Sequence, residues 1–555
     1  MTTANKITTP LDNFYKWENK KPNKTFLIQP MKGKYIKYTW QEVGIQTRKI
    51  AKYVNNLNLE KNSKIAIISK NCAHWMMADM AIMMSGHISV PIYANVNAET
   101  TKYILKHSES KLVFIGKLEE NDWKEIQKGI PDNITSIDFG YYDLPDTDRM
   151  DKWDDIISSY SPIKSNPIRN LDDIFSIIYT SGTTGIPKGV VLKYFSASLA
   201  TQNLNILVPL LESERWFSYL PLSHIAERAL VEFGGIFSGG TISFAESLDT
   251  FSNNLKYTKP TIFFGVPRIY TKFMMGILSK FPQKRLDLLL SIPLVNRLFK
   301  KILKKALGLN RTRICITGAA AIPISTLGWY NKLGILIYEA YGMSENSACS
   351  HGNYPENVKF GFVGKAMPNT DVQITKEGEV IMKNECIMEG YYKDPKKTAE
   401  VIKNGYLYTG DKGEIDEEGY LKITGRVKDI FKTSKGKYVA PNPIEMKFSK
   451  NKNIEQICVV GMNLDQPIAL VVLSDSANEI KQSDLKISLT NTLEEINKQI
   501  EKHEKIKKVI IVKNQWTTEN GVLTPTMKIK RNEIDKIYES NYIEWYESSE
   551  NIIWE

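Results

Sequence analysis

The sequence predicts an α/β protein: a large N-terminal domain of layered, mostly parallel sheets and helices, followed by a small α+β C-terminal domain. Three observations carry this reading. Helical patterns and short apolar strand patterns alternate from about residue 36 onward, as expected of strands joined by covering helices. The chain has 555 residues, more than one compact core organises. Near residue 425 the pattern changes: the turn-rich stretch Gly410–Gly419 leads into segment 425–441, then into a lysine-rich region with a new strand pattern at Ile457–Val460. The boundary is expected between Gly425 and Lys428, dividing 1–425 from 426–555.

Taken in order, Ile65–Ile68 reads as a strand and His74–Met84 as a helix. Val90–Tyr93 and Leu112–Ile115 read as further strands. The most apolar span, Trp75–Ala94, contains Asp79, Gly86, His87 and Pro91, so it reads as a buried helix and a strand rather than a membrane span. Asp173–Tyr179 reads as a buried strand. Over 294–307, Val295, Leu298, Phe299, Ile302, Leu303 and Ala306 share one helix face, with Pro293 near the start and Gly308 as a stop. Arg297, Lys300, Lys301, Lys304 and Lys305 make this helix basic. It is expected to cover a sheet and solvate its basic face, with at most weak, salt-sensitive contact with an anionic membrane surface.

Composition is that of a folded globular protein, 42% hydrophobic and 24% charged. Lys plus Arg outnumber Asp plus Glu by 73 to 62, a net charge of +11 that suits phosphate-bearing small molecules or an acidic membrane. No nucleic-acid partner is expected. The five cysteines form no CxxC pair, so neither a zinc site nor a redox dithiol is signalled. Scattered, odd-numbered cysteines and an N-terminus without an apolar signal core point to a cytoplasmic location.

The strand at Asp173–Tyr179 runs into Thr180-Ser181-Gly182-Thr183-Thr184-Gly185-Ile186-Pro187-Lys188-Gly189. Three glycines, four hydroxyl residues and a lysine in ten positions make a phosphate cradle. Glycines let backbone N–H groups approach phosphate oxygens, hydroxyls donate, and the lysine supplies charge. The spacing is not GxxxxGK[ST], so this is not the ordinary P-loop.

This loop, YTSGTTGIPKGV in full, resembles the signature of the adenylate-forming superfamily, which includes acyl-CoA synthetases, luciferases and peptide-synthetase adenylation domains. The resemblance continues in chain order through Gly318–Pro323, Tyr338–Glu345, Tyr408–Asp411, Gly425–Asp429 and Leu523–Arg531. Leu220–Arg228 and Asp429–Pro441 are similar to the long-chain fatty acyl-CoA synthetase subgroup. Two departures stand out. Lys193-Tyr194 replaces a small hydroxyl residue and a histidine after the loop, and Lys428 stands where many relatives have aspartate.

The resemblance implies ATP-dependent activation of a long-chain fatty acid through an acyl-adenylate, then transfer to coenzyme A, with a mobile C-terminal domain. Loading of a carrier protein is the alternative. It also implies roles. Thr180 and Glu345 would hold Mg²⁺; Thr180, Ser181, Gly182, Thr183, Thr184 and Lys188 would attend the phosphates. Gly318, Ala319, Ala320, Glu339, Ala340, Tyr341, Gly342 and Met343 would surround adenine. Asp411 and Arg426 would bind ribose. Lys428 would be the hinge, and Lys432 and Gly436 would face coenzyme A. His224, Gly265 and Val266 would line the acyl site. Lys528, Thr184 and Glu345 would be catalytic. The chemistry is consistent with this set. A fatty carboxylate, with a pKa of about 4.3, needs no general base, but it needs cations where charge grows at the α-phosphate.

Overall fold

Strand–helix alternation produces parallel pairing because each helix returns the chain to the same edge of the sheet. In the computed structural model, strand Lys64–Ile68 pairs in parallel with Ile88–Ile92 and Ser110–Ile115. The model describes residues 7–555 except 142, 143, 146, 148, 181–185, 519, 525 and 526, and excludes the side chains of 476 and 478. Helix Ala73–Met84 links the first two of these strands and is buried at every position. Its sequence, AHWMMADMAIMM, has no polar face because it is covered on all sides.

The eight-stranded sheet runs Gly390–Tyr391, Lys188–Lys193, Ile174–Thr180, Ile88–Ile92, Lys64–Ile68, Ser110–Ile115, Thr135–Asp138, Asp151–Lys152. Ile174–Thr180 is parallel to Ile88–Ile92 but antiparallel to Lys188–Lys193. The strands on either side of the phosphate-loop segment are therefore direct antiparallel partners. At its exit Lys193 pairs with Glu389 at 2.9 Å, and Tyr194 is buried at the start of helix Tyr194–Leu207. Both residues of the first departure thus have structural uses: Lys193 ties its strand to Glu389, next to strand Gly390–Tyr391, and Tyr194 packs in the core.

A second sheet orders Ile262–Phe264, Ile314–Thr317, Ile337–Tyr341, His351–Gly352 and Lys365–Ala366, the first three in parallel. A third joins Arg215–Ser218, Thr241–Phe244, Thr25–Met31 and Lys34–Thr39. Antiparallel strands Glu379–Lys383, Tyr406–Ile415 and Leu421–Arg426 follow. Beyond them, Ile454–Val460, Ile468–Leu473, Val509–Ile511 and Ile552–Trp554 make a separate mixed sheet, with its own apolar clusters on its two faces. Arg268 and Glu455 form an ion pair between this region and the rest.

Strands and helices occur where the sequence patterns place them. The basic helix, Pro293–Ala306, differs in its packing. It lies on helix Gln283–Ser291, and Leu303 and Phe299 meet Ile277, Leu286 and Leu333 rather than a sheet. Among the described residues no helix is long and apolar enough to cross a membrane.

Candidate active site

Lys188 opens the strand whose first residue pairs with Thr180. Its Nζ stands 5.2 Å from the centre of the Tyr391 ring. The Tyr391 hydroxyl donates to Glu345 Oε1 at 2.9 Å, so Lys188, Tyr391 and Glu345 form one line of contacts. Glu345 sits in the turn Ser344–Asn346. That turn is held by Met343 N–H donating to Asn346 Oδ1 at 2.9 Å, and by the Met388 N–H donating to the Glu345 carbonyl at 2.8 Å. Desolvation lowers the Lys188 pKa, and Lys397 and Lys428 lower it further, while Glu345 and Glu400 oppose them. A cation held among cations is ready for a polyanion. Ser181, Gly182, Thr183 and Thr184 lie outside the described residues.

Gly318 ends strand Ile314–Thr317 against the next strand: a Cβ there would lie 2.9 Å from the Ala340 carbonyl oxygen. Ala319 has φ +65°, and Ala319 and Ala320 are exposed just beyond. The Glu339 carboxylate turns away to accept from Gly361 N–H at 2.9 Å, and burial pushes its pKa up to about 7. Ala340 and Tyr341 pair with Gly352 and His351, and Gly342 allows the chain to pass the Ala348 backbone, which a Cβ would meet at 2.5 Å. The Tyr341 hydroxyl donates to Asp411 Oδ2 at 2.6 Å. Asp411 Oδ1 accepts from Arg426 Nε at 2.9 Å, across a register pair of strands Tyr406–Ile415 and Leu421–Arg426. Three segments separated widely in sequence therefore converge on one buried carboxylate.

Lys528 comes to the same place from the C-terminal region. A tight turn presents it: Thr524 Oγ1 accepts from Lys528 N–H at 3.0 Å, Thr524 N–H donates to the Lys528 carbonyl at 2.8 Å, and Met527 takes φ +62°. The Lys528 side chain keeps access to solvent within a crowded cleft. Desolvation lowers its pKa and Arg426 adds to this, while Asp411 and Glu345 oppose. Lys428 is exposed in the turn after strand Leu421–Arg426. Lys432 and Gly436 belong to the hairpin Phe431–Lys432 and Tyr438–Val439, where Gly436 takes φ +75°. No described contact joins that hairpin to the Lys528 cluster.

His224 caps the helical turn Ile225–Glu227 through Nδ1, which accepts from Ala226 N–H at 3.2 Å. Desolvation, then the Lys528 charge, lower its pKa to about 4. The ring is therefore neutral at pH 7. With Nδ1 an acceptor, the proton sits on Nε2, which remains a donor. Gly265 follows strand Ile262–Phe264, and a Cβ there would press on Tyr270 and Phe263 at 2.9 and 3.0 Å. Val266 precedes helix Pro267–Lys280. Tyr219 links these parts by donating from its hydroxyl to the Phe264 carbonyl at 3.1 Å.

A family model described as AMP-binding enzyme matches residues 14–392, and one described as AMP-binding enzyme C-terminal domain matches 428–550. The chain belongs to the AMP-binding enzyme family. Similar proteins include long-chain-fatty-acid–CoA ligase 5 of Rattus norvegicus, 30% identical over 90% of this chain and 83% of that one. Long chain acyl-CoA synthetase 5 of Arabidopsis thaliana is 27% identical over 93% and 88%. The anthranilate CoA ligase AuaEII, solved with anthranoyl-AMP, shares the fold at a TM-score of 0.80, with 19% identity over 97% of this chain and 98% of that one. The adenylation domain of a carboxylate reductase from Mycobacterium chelonae does so at 0.82, with 18% identity over 98% and 92%. The family models and the sequence relatives place this AMP-binding enzyme in the long-chain fatty acyl-CoA synthetase subgroup, and the solved structures share its fold.

Several side chains in this AMP-binding enzyme escaped sequence reasoning. Tyr391 mediates between Lys188 and Glu345, but no spacing rule marks a tyrosine between sheets. Glu227 is buried one turn from His224, accepts from Tyr219 N–H at 3.0 Å, and has its pKa pushed up to about 8 by burial. Arg228 is fully buried; it pairs with Asp79, donates to Glu232 at 2.9 Å and to Ser176 Oγ at 2.9 Å, and lies over Phe175 and Phe233. The ER pair in the 220–228 segment was the available signal. Arg531 grips Glu445 through both carboxylate oxygens at 2.6 Å and reaches Asp429 at 3.5 Å, bracing the lysine turn against the segment after strand Leu421–Arg426.

Proposed function

We propose that the chain is an AMP-forming long-chain fatty acid–CoA ligase. The observation that carries this is that Lys528, from the C-terminal region, lies within electrostatic reach of His224, Glu345, Asp411 and Arg426. In the first step the fatty carboxylate oxygen attacks the ATP α-phosphorus, the bond to pyrophosphate breaks, and acyl-adenylate forms. In the second the coenzyme A thiolate attacks the acyl carbonyl, AMP leaves, and the thioester remains.

The residues divide the work. Thr180 to Thr184 and Lys188 attend the phosphates. Gly318 to Ala320 and Glu339 to Met343 wall the adenine side, with the Tyr341 ring fixed by its bond to Asp411. Asp411 and Arg426 take the ribose. Lys528 neutralises charge between carboxylate and α-phosphate, and His224 donates from Nε2 at the acyl end, beside Gly265 and Val266. Among the described residues no group of three or more His, Cys, Asp or Glu could hold a metal. Glu345 and Thr180 would hold Mg²⁺ together with the substrate phosphates, and the metal would supply charge neutralisation there. Lys428 is the hinge, the domain boundary lies at 425/426, and Lys432 and Gly436 come to coenzyme A when the small domain turns. The five buried, unpaired cysteines are consistent with a cytoplasmic setting.

The test is product analysis with palmitate, ATP and Mg²⁺, with and without coenzyme A. The expected products are AMP, pyrophosphate and palmitoyl-CoA, with turnover accelerated by coenzyme A. ADP as product, or indifference to coenzyme A, would overturn the reading.

A further inference from the structure

Between two strands that build the site, the chain makes an excursion that the proposed chemistry does not use. After Ile262–Phe264 come helices Pro267–Lys280, Gln283–Ser291 and Pro293–Ala306, and then strand Ile314–Thr317. The first helix begins right after Val266, and its 14 residues carry its far end about 21 Å away. The next two helices pack on each other, and of their own residues only Leu286 and Leu303 are buried, against Ile277 and Leu333.

Much of their apolar surface is turned outward. Leu288 is 63% exposed, Leu294 85%, Leu298 61% and Ile302 56%. Leu294, Leu298 and Ile302 recur every four residues and form one ridge along the helix. Arg297, Lys301 and Lys305 recur at the same interval and run beside that ridge. Lys300 and Lys304 lie further round, and Lys284 and Arg285 stand on the neighbouring helix, with Asp287 the one acid in 281–306. The segment carries +6 of a chain total of +11. Among the described residues none of these seven cations forms an ion pair; Lys304 donates to the Gly334 carbonyl at 2.6 Å.

Scattered exposed leucines need no explanation, but a continuous ridge flanked by unpaired cations does. We propose that this ridge is a docking surface for an anionic lipid bilayer. Its leucines and Ile302 enter the headgroup–acyl boundary while its Lys and Arg side chains meet acidic headgroups. A second copy of the surface would set +6 against +6, which opposes self-association. A soluble acidic partner would answer the charge and leave the ridge unexplained. Docking would anchor to the bilayer, where a long-chain acid partitions, the helical excursion that begins next to Gly265–Val266. This last point rests on the proposed activity; the docking does not.

The experiment is sedimentation of the whole chain with phosphatidylcholine vesicles, with and without phosphatidylserine, at low and high salt. Binding is expected only with phosphatidylserine, and it should weaken as salt rises. Replacing Arg297, Lys301 and Lys305 with Gln should weaken it roughly fivefold per cation, on the order of 100-fold together. Replacing Leu294, Leu298 and Ile302 with Ser should weaken it at least about tenfold. Both variants should keep the wild-type melting curve and the wild-type rate of AMP release with octanoate, a soluble acid. Absence of binding to acidic vesicles at low salt, or binding untouched by both sets of changes, overturns the proposal. Polyglutamate bound as tightly as vesicles, with the serine variant unaffected, assigns the surface to a soluble acidic partner and also overturns it. Wild-type chain that binds vesicles but activates no acid counts against the proposed activity alone.

Discussion

Replacing Lys528 with Ala should separate the two half-reactions. The ammonium stands in a cleft that is crowded yet open to water, so an effective dielectric near 20 applies rather than that of a dry interior. At about 4 Å from a developing phosphate charge, one cation is then worth roughly 4 kcal/mol before solvent and its neighbours reduce it. Loss of one fixed donor to a transition state typically costs about 2.7–4 kcal/mol, a factor of 10²–10³. Acyl-adenylate formation should therefore slow by about that factor. Transfer from supplied acyl-adenylate to coenzyme A should stay within about tenfold, under 1.4 kcal/mol, because the lysine has no role there once the small domain turns. Lys428→Pro, which fixes φ at the hinge, should slow transfer more than adenylation. Single-turnover measurements of each half-reaction decide the matter. Equal losses in Lys528→Ala would make the lysine structural and remove the basis for two poses. A pH series adds a second check. The Lys528 pKa is lowered from 10.5, so the alkaline limb of kcat/KM for adenylation should fall below that value, and bound ATP should move it back up in kcat.

Two further predictions concern buried groups. Asp411→Asn removes the charge that holds both the Tyr341 hydroxyl and Arg426 Nε, so stability should fall by about 1–3 kcal/mol and KM for ATP should rise about 10–100-fold. Because Asp411 raises the Lys528 pKa, the alkaline limb should also move to lower pH; an unmoved limb would separate the two residues. His74 and His351 are buried, and desolvation holds both near pKa 3. The unfolded chain takes up protons below pH 6.5 that the folded chain refuses, so stability should decline from pH 6.5 toward 3 by about 1.4 kcal/mol per unit for each histidine. Denaturant titrations at several pH values should show a shallower decline in His74→Leu, whereas parallel curves would mean the buried ring is solvated.

Much was legible in the sequence because much of the chemistry is local. Apolar runs such as Ile65–Ile68 and the helix beginning at Ala73, which has no polar face, declare buried elements by composition alone. The phosphate loop is readable because a cradle needs glycines, hydroxyls and a cation within a few residues of one another. What only the tertiary structure decided depends on distant segments meeting. Tyr391 reaches Glu345 across 46 positions, and Tyr341 reaches Asp411 across 70. Arg228 and Asp79 lie 149 apart, and no sequence periodicity encodes such pairings. The His224 tautomer follows from one backbone N–H and nearby Lys528, neither visible before folding. The basic helix shows the same limit from the other side. Its apolar face is plain in the sequence, but whether that face is covered depends on what packs there, and the fold buries Leu303 while leaving Leu294, Leu298 and Ile302 open. Periodicity records which residues share a face; burial is a property of the whole arrangement, because it depends on surfaces supplied by other parts of the chain.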